Sequence, residues 1–289
     1  MLRVMTYNIR VGGEDAGQRG VPWPARLDRI VRVVNEQRPD LLALQELRGF
    51  RPGGRLTRFA AQVGMRAFLA RSWFGQPVAV LVRPPGQVSS VGPVRRPFHH
   101  AAQRLTVETD RGPLSLFGTH LQPYSGGRRL REVSWLTAAA GRVPAAALAD
   151  RMTLLLGDLN SLDPWTPHGQ RLARLPAGYR SRHLRRTGWP GRLASAVPGG
   201  GPAVDTRAVA ALDRAGFVDL FRLVGEGGDE GLTVPTRYGG AEFSGMRLDY
   251  ILGTPAAAAR AHGCFVVRGG EAEHASDHYP VLAELDLAF

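Results

Sequence analysis

The chain has 289 residues, 44% of them hydrophobic, and a formal net charge of +12 carried by arginine. That length suffices for one large core or two small domains, and the hydrophobic share is ordinary for a folded protein. The single Cys264 excludes an intramolecular disulfide, no apolar segment approaches the roughly 18 residues that span a bilayer, and the positive field favours polyanions such as nucleic acid or anionic lipid headgroups. Ala, Gly, Pro and Arg are abundant together, as a GC-rich coding sequence would also produce, so the charge is a weak guide to substrate.

Met1 to Tyr7 enters a strand-like run directly, without a basic segment followed by a long apolar one, so no leader is expected and the location is read as cytoplasmic. A first strand spans Leu2 to Ile9 and delivers Asn8. Leu27, Ile30, Val31, Val33 and Val34 recur at helical spacing between Ala25 and Gln37, and Pro39-Asp40 stops that helix. Leu41 to Leu47 is a second strand, in which Glu46 and Arg48 share one side by period two. Leu56 to Gly64 is a short helix. Phe68 to Ala70 and Val78 to Val82 form a strand pair around a Trp73-Phe74-Gly75 turn.

Leu105 to Thr109 and Leu114 to Thr119 form a hairpin through Asp110-Arg111-Gly112-Pro113, and its second strand ends at His120. Arg128 to Ala140 is a helix. Thr153 to Leu156 is a short buried strand that turns at Gly157 and presents Asp158 and Asn160 on one side. Residues 161–203 lack periodicity and are read as a long irregular insertion with one helical turn near Gln170 to Leu175. Asp205 to Ala215 is a helix. Arg247 to Leu252 is a strand carrying Asp249, Cys264 to Arg268 is another, and Ser276-Asp277-His278 opens a last strand, Tyr279 to Leu285. Cys264 reads as a small buried hydrophobe. Hairpins interrupt the strand–helix alternation, which favours mixed sheets with helices outside over a doubly wound parallel sheet.

The strand ends share a chemistry. Asn8, Glu46, Arg48, His120, Asp158, Asn160, Asp249, Asp277 and His278 each sit at or just past an apolar strand. One such residue means little, since Gly, Asp and Asn favour turns anyway; the ordered set is harder to dismiss. Thr6-Tyr7-Asn8, Gln45-Glu46, Thr119-His120-Leu121, Gly157-Asp158-Leu159-Asn160, Arg247-Leu248-Asp249-Tyr250 and Ser276-Asp277-His278 occur in the order found in the endonuclease/exonuclease/phosphatase superfamily. The chain resembles its deoxyribonuclease-like and sphingomyelinase-like branch over essentially its whole length.

The resemblance implies an α/β fold, a four-layer sandwich of two facing mixed β-sheets flanked by helices, with residues 1–289 as a single domain. It implies a phosphoesterase that uses magnesium, with manganese possible. Glu46 resembles the principal metal carboxylate, with Asn8 and Asp277 near the same ion, and no Cys-rich or His-x-x-x-His zinc pattern competes. His278 resembles the histidine at the scissile phosphate, and Asp249 the carboxylate that orients it. Asp158 resembles the residue that positions the attacking water, with Asn160 beside it. His120 resembles a second histidine serving a phosphate oxygen or the leaving group, and Arg48 a phosphate-contacting arginine.

The expected activity is hydrolysis of a phosphodiester in nucleic acid. A phospholipid or phosphoinositide phosphoesterase is the alternative, and a non-catalytic binding protein on the same fold is disfavoured because no metal or histidine position is missing. A monomer is expected. The Thr119-His120-Leu121 and Met246-Arg247-Leu248-Asp249 runs depart from abasic-site endonucleases. His99-His100 has no neighbouring acid and reads as solvated loop. His168 and His183 lie in the insertion. Trp73, Phe74, Trp165 and Trp189 fall in loops, where aromatics pack the loop, stack on bases or enter a membrane surface. Arg180, Arg182, Arg185 and Arg186 are a candidate phosphate-binding run with a solvated loop as the alternative.

Overall fold

The computed structural model describes residues 1–141, 151–185, 203–225 and 231–289. Twelve strands are described: β1 (Leu2–Asn8), β2 (Leu41–Gln45), β3 (Arg66–Ala70), β4 (Val78–Val82), β5 (Val88–Pro93), β6 (Ala101–Thr109), β7 (Gly112–His120), β8 (Thr153–Asp158), β9 (Val218–Asp219), β10 (Asp249–Gly253), β11 (Ala261–Val266) and β12 (Val281–Leu285). They form two six-stranded sheets, ordered β11-β12-β1-β2-β4-β3 and β5-β6-β7-β8-β10-β9. Both are mixed: β1 runs parallel to β2 and β7 parallel to β8, and the other pairings are antiparallel.

The layers follow from period two. In β1, Leu2 and Val4 face the second sheet while Met5 and Tyr7 face the helices α1 (Arg26–Gln37) and α2 (Arg55–Gln62). In β8, Leu154 and Leu156 point into the inter-sheet core while Leu155 faces the outer helices α3 (Gly126–Ala140) and, after two short helices in the 161–203 segment, Arg207–Arg214. Full burial of each such Leu or Val contributes about 1.5–3 kcal/mol. The four-layer α/β sandwich expected from the sequence is the architecture observed.

The differences lie at element ends. β2 stops at Gln45, because Glu46 takes a left-handed conformation at φ 61°. β8 continues through Gly157 to Asp158 instead of turning. Gly157 has φ 148°, and a β-carbon there would collide with the Thr119 carbonyl; only glycine lets β7 and β8 stay paired at this point. The edge strand β5 was not expected, since Val88-Ser89-Ser90-Val91 shows no buried row.

The described part of 161–203 is more ordered than its composition suggests. It holds α4 (Gly169–Ala173), α5 (Ala177–Arg180) and a 3-10 turn at Ser181–His183. Leu162, Leu172 and Leu175 pack against Val234, Met246 and Leu248. Beneath them the buried Arg247 lies 2.7 Å from Asp219 and 3.6 Å from Asp163. Arg186 and Trp189 lie outside the described residues.

Candidate active site

The alternation that builds the inter-sheet core also aims the polar residues. Asn8 continues the inward row of Leu2 and Val4, Asp158 that of Leu154 and Leu156, His120 that of Leu114 and Leu116, and Asp249 that of Ile251. Register aligns them: His120 pairs with Asp158 across β7 and β8, and Asp158 with Asp249 across β8 and β10. Three polar side chains therefore stand abreast at one end of the second sheet. Asn8 meets them from the first, its Nδ2 donating to Asp158 Oδ2 at 3.0 Å and to Glu46 Oε1 at 3.2 Å. Ser276 Oγ donates to the Asn8 carbonyl at 2.7 Å, which pins the segment carrying Asp277 and His278 to β1.

His278 Nδ1 lies 2.8 Å from Asp249 Oδ2 and its Nε2 3.9 Å from Asp158 Oδ2. On the other side of Asp158, His120 Nε2 lies 3.3 Å from Oδ2 and 3.0 Å from Asn160 Nδ2. The Asn160 backbone N–H donates to Asp158 Oδ1 at 2.8 Å, so the carboxylate turns its own chain around it. Asn160 does not reach the site by strand periodicity; it sits at φ 48° in the turn past β8.

The two imidazoles and the carboxylate between them set each other's charge. Burial opposes the charged form of His278, but Asp249, then Asp158 and Asp277, raise its pKa to about 10. For His120, burial is likewise overridden by Asp158, and its pKa rises. Asp158 has its carboxyl pulled down despite burial, by His120 first and then His278 and the Asn160 N–H. The site is a buried carboxylate held ionised between two imidazoles biased toward the cationic form.

The metal residues expected from the sequence are placed nearby in a looser arrangement. Glu46 accepts from Val11 N at 2.9 Å and Gln76 Nε2 at 2.6 Å besides Asn8. Asp277 lies 3.4 Å from Arg10 Nε. Burial, and after it the charge of Glu46, push the Asp277 carboxyl up, a repulsion that a cation between them would relieve. Two carboxylates and a carboxamide are hard oxygen donors and fit magnesium. A tighter trio exists in Asp158, Asp249 and His278, whose ligand atoms lie within 4.8 Å of one another, but there Nδ1 of His278 is engaged with Asp249.

Two readings of the sequence need correction. Glu46 and Arg48 do not share a side, since the strand ends before them; Arg48 is exposed and lines a cavity of about 650 Å³ with Arg51, Arg71 and Gln76. His99-His100 is not a solvated pair. His100 is buried and stacks on His120 with ring centroids 3.9 Å apart and planes 5° from parallel. Its Nδ1 accepts from Gln76 N at 2.9 Å. Burial and the neighbouring His120 hold it neutral, far below the usual histidine range.

Sequence reasoning missed Gln76, Arg10, His100 and Phe243, whose ring meets His278 edge-on at 5.4 Å. Arg10 stood two residues after Asn8 and was findable; Gln76 and Phe243 sit in turns without pattern. His168 and His183 are both buried, with His168 Nε2 2.7 Å from the Asp163 carbonyl. Arg182 packs over the rings of Tyr179 and Tyr124. Cys264 is buried, and burial raises its thiol pKa.

Comparison with known sequences matches residues 5–278 to the model of a group described as the Endonuclease/Exonuclease/phosphatase family. No curated protein matches the chain. Among solved structures, an AP endonuclease from Archaeoglobus fulgidus is 19% identical with a TM-score of 0.64, covering 99% of this chain and 100% of that one. Truncated TDP2 from Caenorhabditis elegans is 16% identical with a TM-score of 0.63, covering 100% and 97%. A mannosyl-6-phosphatase from Bacteroides thetaiotaomicron is 16% identical with a TM-score of 0.65, covering 100% of both chains. At these identities the likeness is one of fold. No helix among the described residues is long and apolar enough to cross a membrane.

Proposed function

The chain belongs to the endonuclease/exonuclease/phosphatase family, and from that premise we propose that it is a magnesium-dependent phosphodiesterase acting on nucleic acid. The observation that carries this is the buried His120–Asp158 and His278–Asp249 pairing, with distances of 3.3 and 2.8 Å, at one end of the second sheet. Asp158, held ionised, offers an oxygen to the attacking water, and Asn160 steadies it. His278, oriented by Asp249, donates to a phosphoryl oxygen, and His120 serves the leaving group. Glu46, Asp277 and the Asn8 carboxamide would hold the metal, which supplies charge neutralisation on the phosphoryl group. The pairing of β1 with β12 supports reading residues 1–289 as one domain.

The test is a substrate panel in magnesium: supercoiled plasmid, abasic duplex, single-stranded RNA, sphingomyelin and phosphoinositides, with Asp158→Ala and His278→Ala in parallel. Nucleic-acid cleavage lost in both variants is expected. Activity surviving both changes would remove the site assignment, and cleavage confined to a lipid would replace the substrate class.

A further inference from the structure

Trp73 and Phe74 are 91% and 74% exposed, the largest aromatic exposures among the described residues. They sit on a turn that is fastened down. Ser72 Oγ donates to the His99 carbonyl at 3.2 Å, Gly75 N donates to Ser72 Oγ at 2.8 Å, and Gln76 reaches Glu46. The turn thus holds two unburied aromatic rings on a hydrogen-bonded frame tied to Glu46, a candidate metal carboxylate. Two adjacent aromatic rings left outside the core add nothing to its packing, and contiguous apolar exposure of this kind marks an interaction surface.

Phe74 separates two recesses. One, of about 480 Å³, is lined by Trp135, Arg128 and Arg131; the other, of about 630 Å³, by Trp73 and the Arg95-Arg96 pair. These four arginines are exposed and form no ion pair among the described residues. Among the described residues the only carboxylate in either lining is Glu132, whose oxygens are occupied by the backbone N–H groups of His99 and Gln122. An uncompensated arginine field around flat apolar rings is complementary to a chain that alternates anionic and flat aromatic groups.

We propose that the Trp73–Phe74 turn is a strand-binding platform: unpaired bases of single-stranded nucleic acid stack on the two rings while Arg95, Arg96, Arg128 and Arg131 take successive phosphates. This rests on the phosphodiesterase reading above and deepens it, placing the substrate strand beside the scissile phosphate. A bilayer is the competing partner. The concave recesses and the small apolar area favour a strand, since membrane anchoring needs an extended apolar face.

The test measures binding in EDTA, without turnover, using the full chain and a fluorescein-labelled 12-mer of dT. A 12-mer of abasic residues carries the same phosphates without bases, and phosphatidylcholine/phosphatidylserine vesicles offer the membrane. W73A/F74A is expected to weaken oligo-dT binding by about 10-fold or more, at 1–3 kcal/mol per stacked base, with abasic binding unmoved. R128A/R131A should flatten the log–log salt slope by about 1.4, at 0.7 per single-strand phosphate contact. If W73A/F74A leaves oligo-dT binding intact while bis(p-nitrophenyl) phosphate is still hydrolysed in magnesium, the platform is wrong and the hydrolase reading stands. If the protein prefers the vesicles and W73A/F74A abolishes that preference, the partner is a membrane and the proposal is overturned.

Discussion

Gly75 carries more constraint than its place in a surface turn suggests. A β-carbon there would stand 2.7 Å from the His99 carbonyl oxygen and closer still to His100 Nδ1. Neither can retreat: the carbonyl is backbone in the bend two residues before β6, held by Ser72 Oγ, and the His100 ring is stacked on His120. The turn itself must lift. Lifting stretches Gln76 N to His100 Nδ1, now 2.9 Å, and Gln76 Nε2 to Glu46 Oε2, now 2.6 Å. Forced overpacking costs about 1–3 kcal/mol, a few degrees in Tm for a chain of this size. A hydrogen bond to a charged group is worth roughly 1.5–3 kcal/mol, so losing the Gln76 anchor on Glu46 should lower kcat/KM by roughly 10- to 150-fold. The assay is hydrolysis of bis(p-nitrophenyl) phosphate against magnesium concentration for Gly75→Ala, Gln76→Ala and the double variant. Both singles should need more magnesium, and the double should be no worse than the worse single, because both act through one contact. Losses that multiply, or a Gly75→Ala protein with lowered Tm and kcat/KM within about twofold of wild type, would refute the anchor.

Glu46→Ala should remove the calorimetric heat of magnesium binding while the fold persists by circular dichroism; unchanged heat would move the metal site elsewhere. Arg247→Ala leaves Asp219 and Asp163 unpaired under the 161–185 segment, and should cost about 3–5 kcal/mol in urea unfolding, against a small change for exposed Arg95→Ala. The pH dependence of Asp158→Asn, read as Tm in EDTA, tests the buried pairs. His120 titrates above its ordinary 6.5 in the folded protein, so its contribution is full below that value and is lost as pH rises through the raised one. Asp158 titrates below its ordinary 3.8, so its contribution is present above that value and is lost as pH falls through the lowered one. The wild-type advantage over Asp158→Asn should therefore plateau between about pH 4 and 6.5 and decline on both sides; an advantage that grows steadily with alkaline pH contradicts the pairing.

What the sequence disclosed was what periodicity controls. The inward rows ending in Asn8, His120, Asp158 and Asp249 are extensions of apolar alternation, and register then places them abreast. Periodicity failed where the chain leaves the strand. Period two puts Arg48 on the side of Glu46, but that rule stops applying at Gln45, where the strand ends. His100 looked solvated because its partner, His120, is distant in sequence and is brought to it by the pairing of Ala101 with His120 in the β6–β7 hairpin. The ordered helices of the 161–185 segment pack against Val234 and Met246 from far along the chain, a contact no local composition records.

The same departures from regularity explain why the site lies at this end of the sandwich. Non-glycine residues with positive φ among the described residues are Arg10, Val11, Arg38, Glu46 and Asn160. Arg38 ends α1, where a left-handed residue is ordinary. The other four surround the site: Arg10 faces Asp277, Val11 donates to Glu46, Glu46 binds Asn8, and Asn160 folds back on Asp158. Such conformations cost about 1 kcal/mol or more each and persist only where surrounding contacts over-determine them. Here the contacts are hydrogen bonds among the candidate catalytic and metal residues themselves. Relaxing Glu46 into the strand would extend β2 and satisfy local preference, but it would swing the carboxylate away from Asn8, Val11 and Gln76 together. The strain and the carboxylate cluster are therefore one feature: the chain leaves regular geometry at the points where a regular strand would aim these oxygens apart.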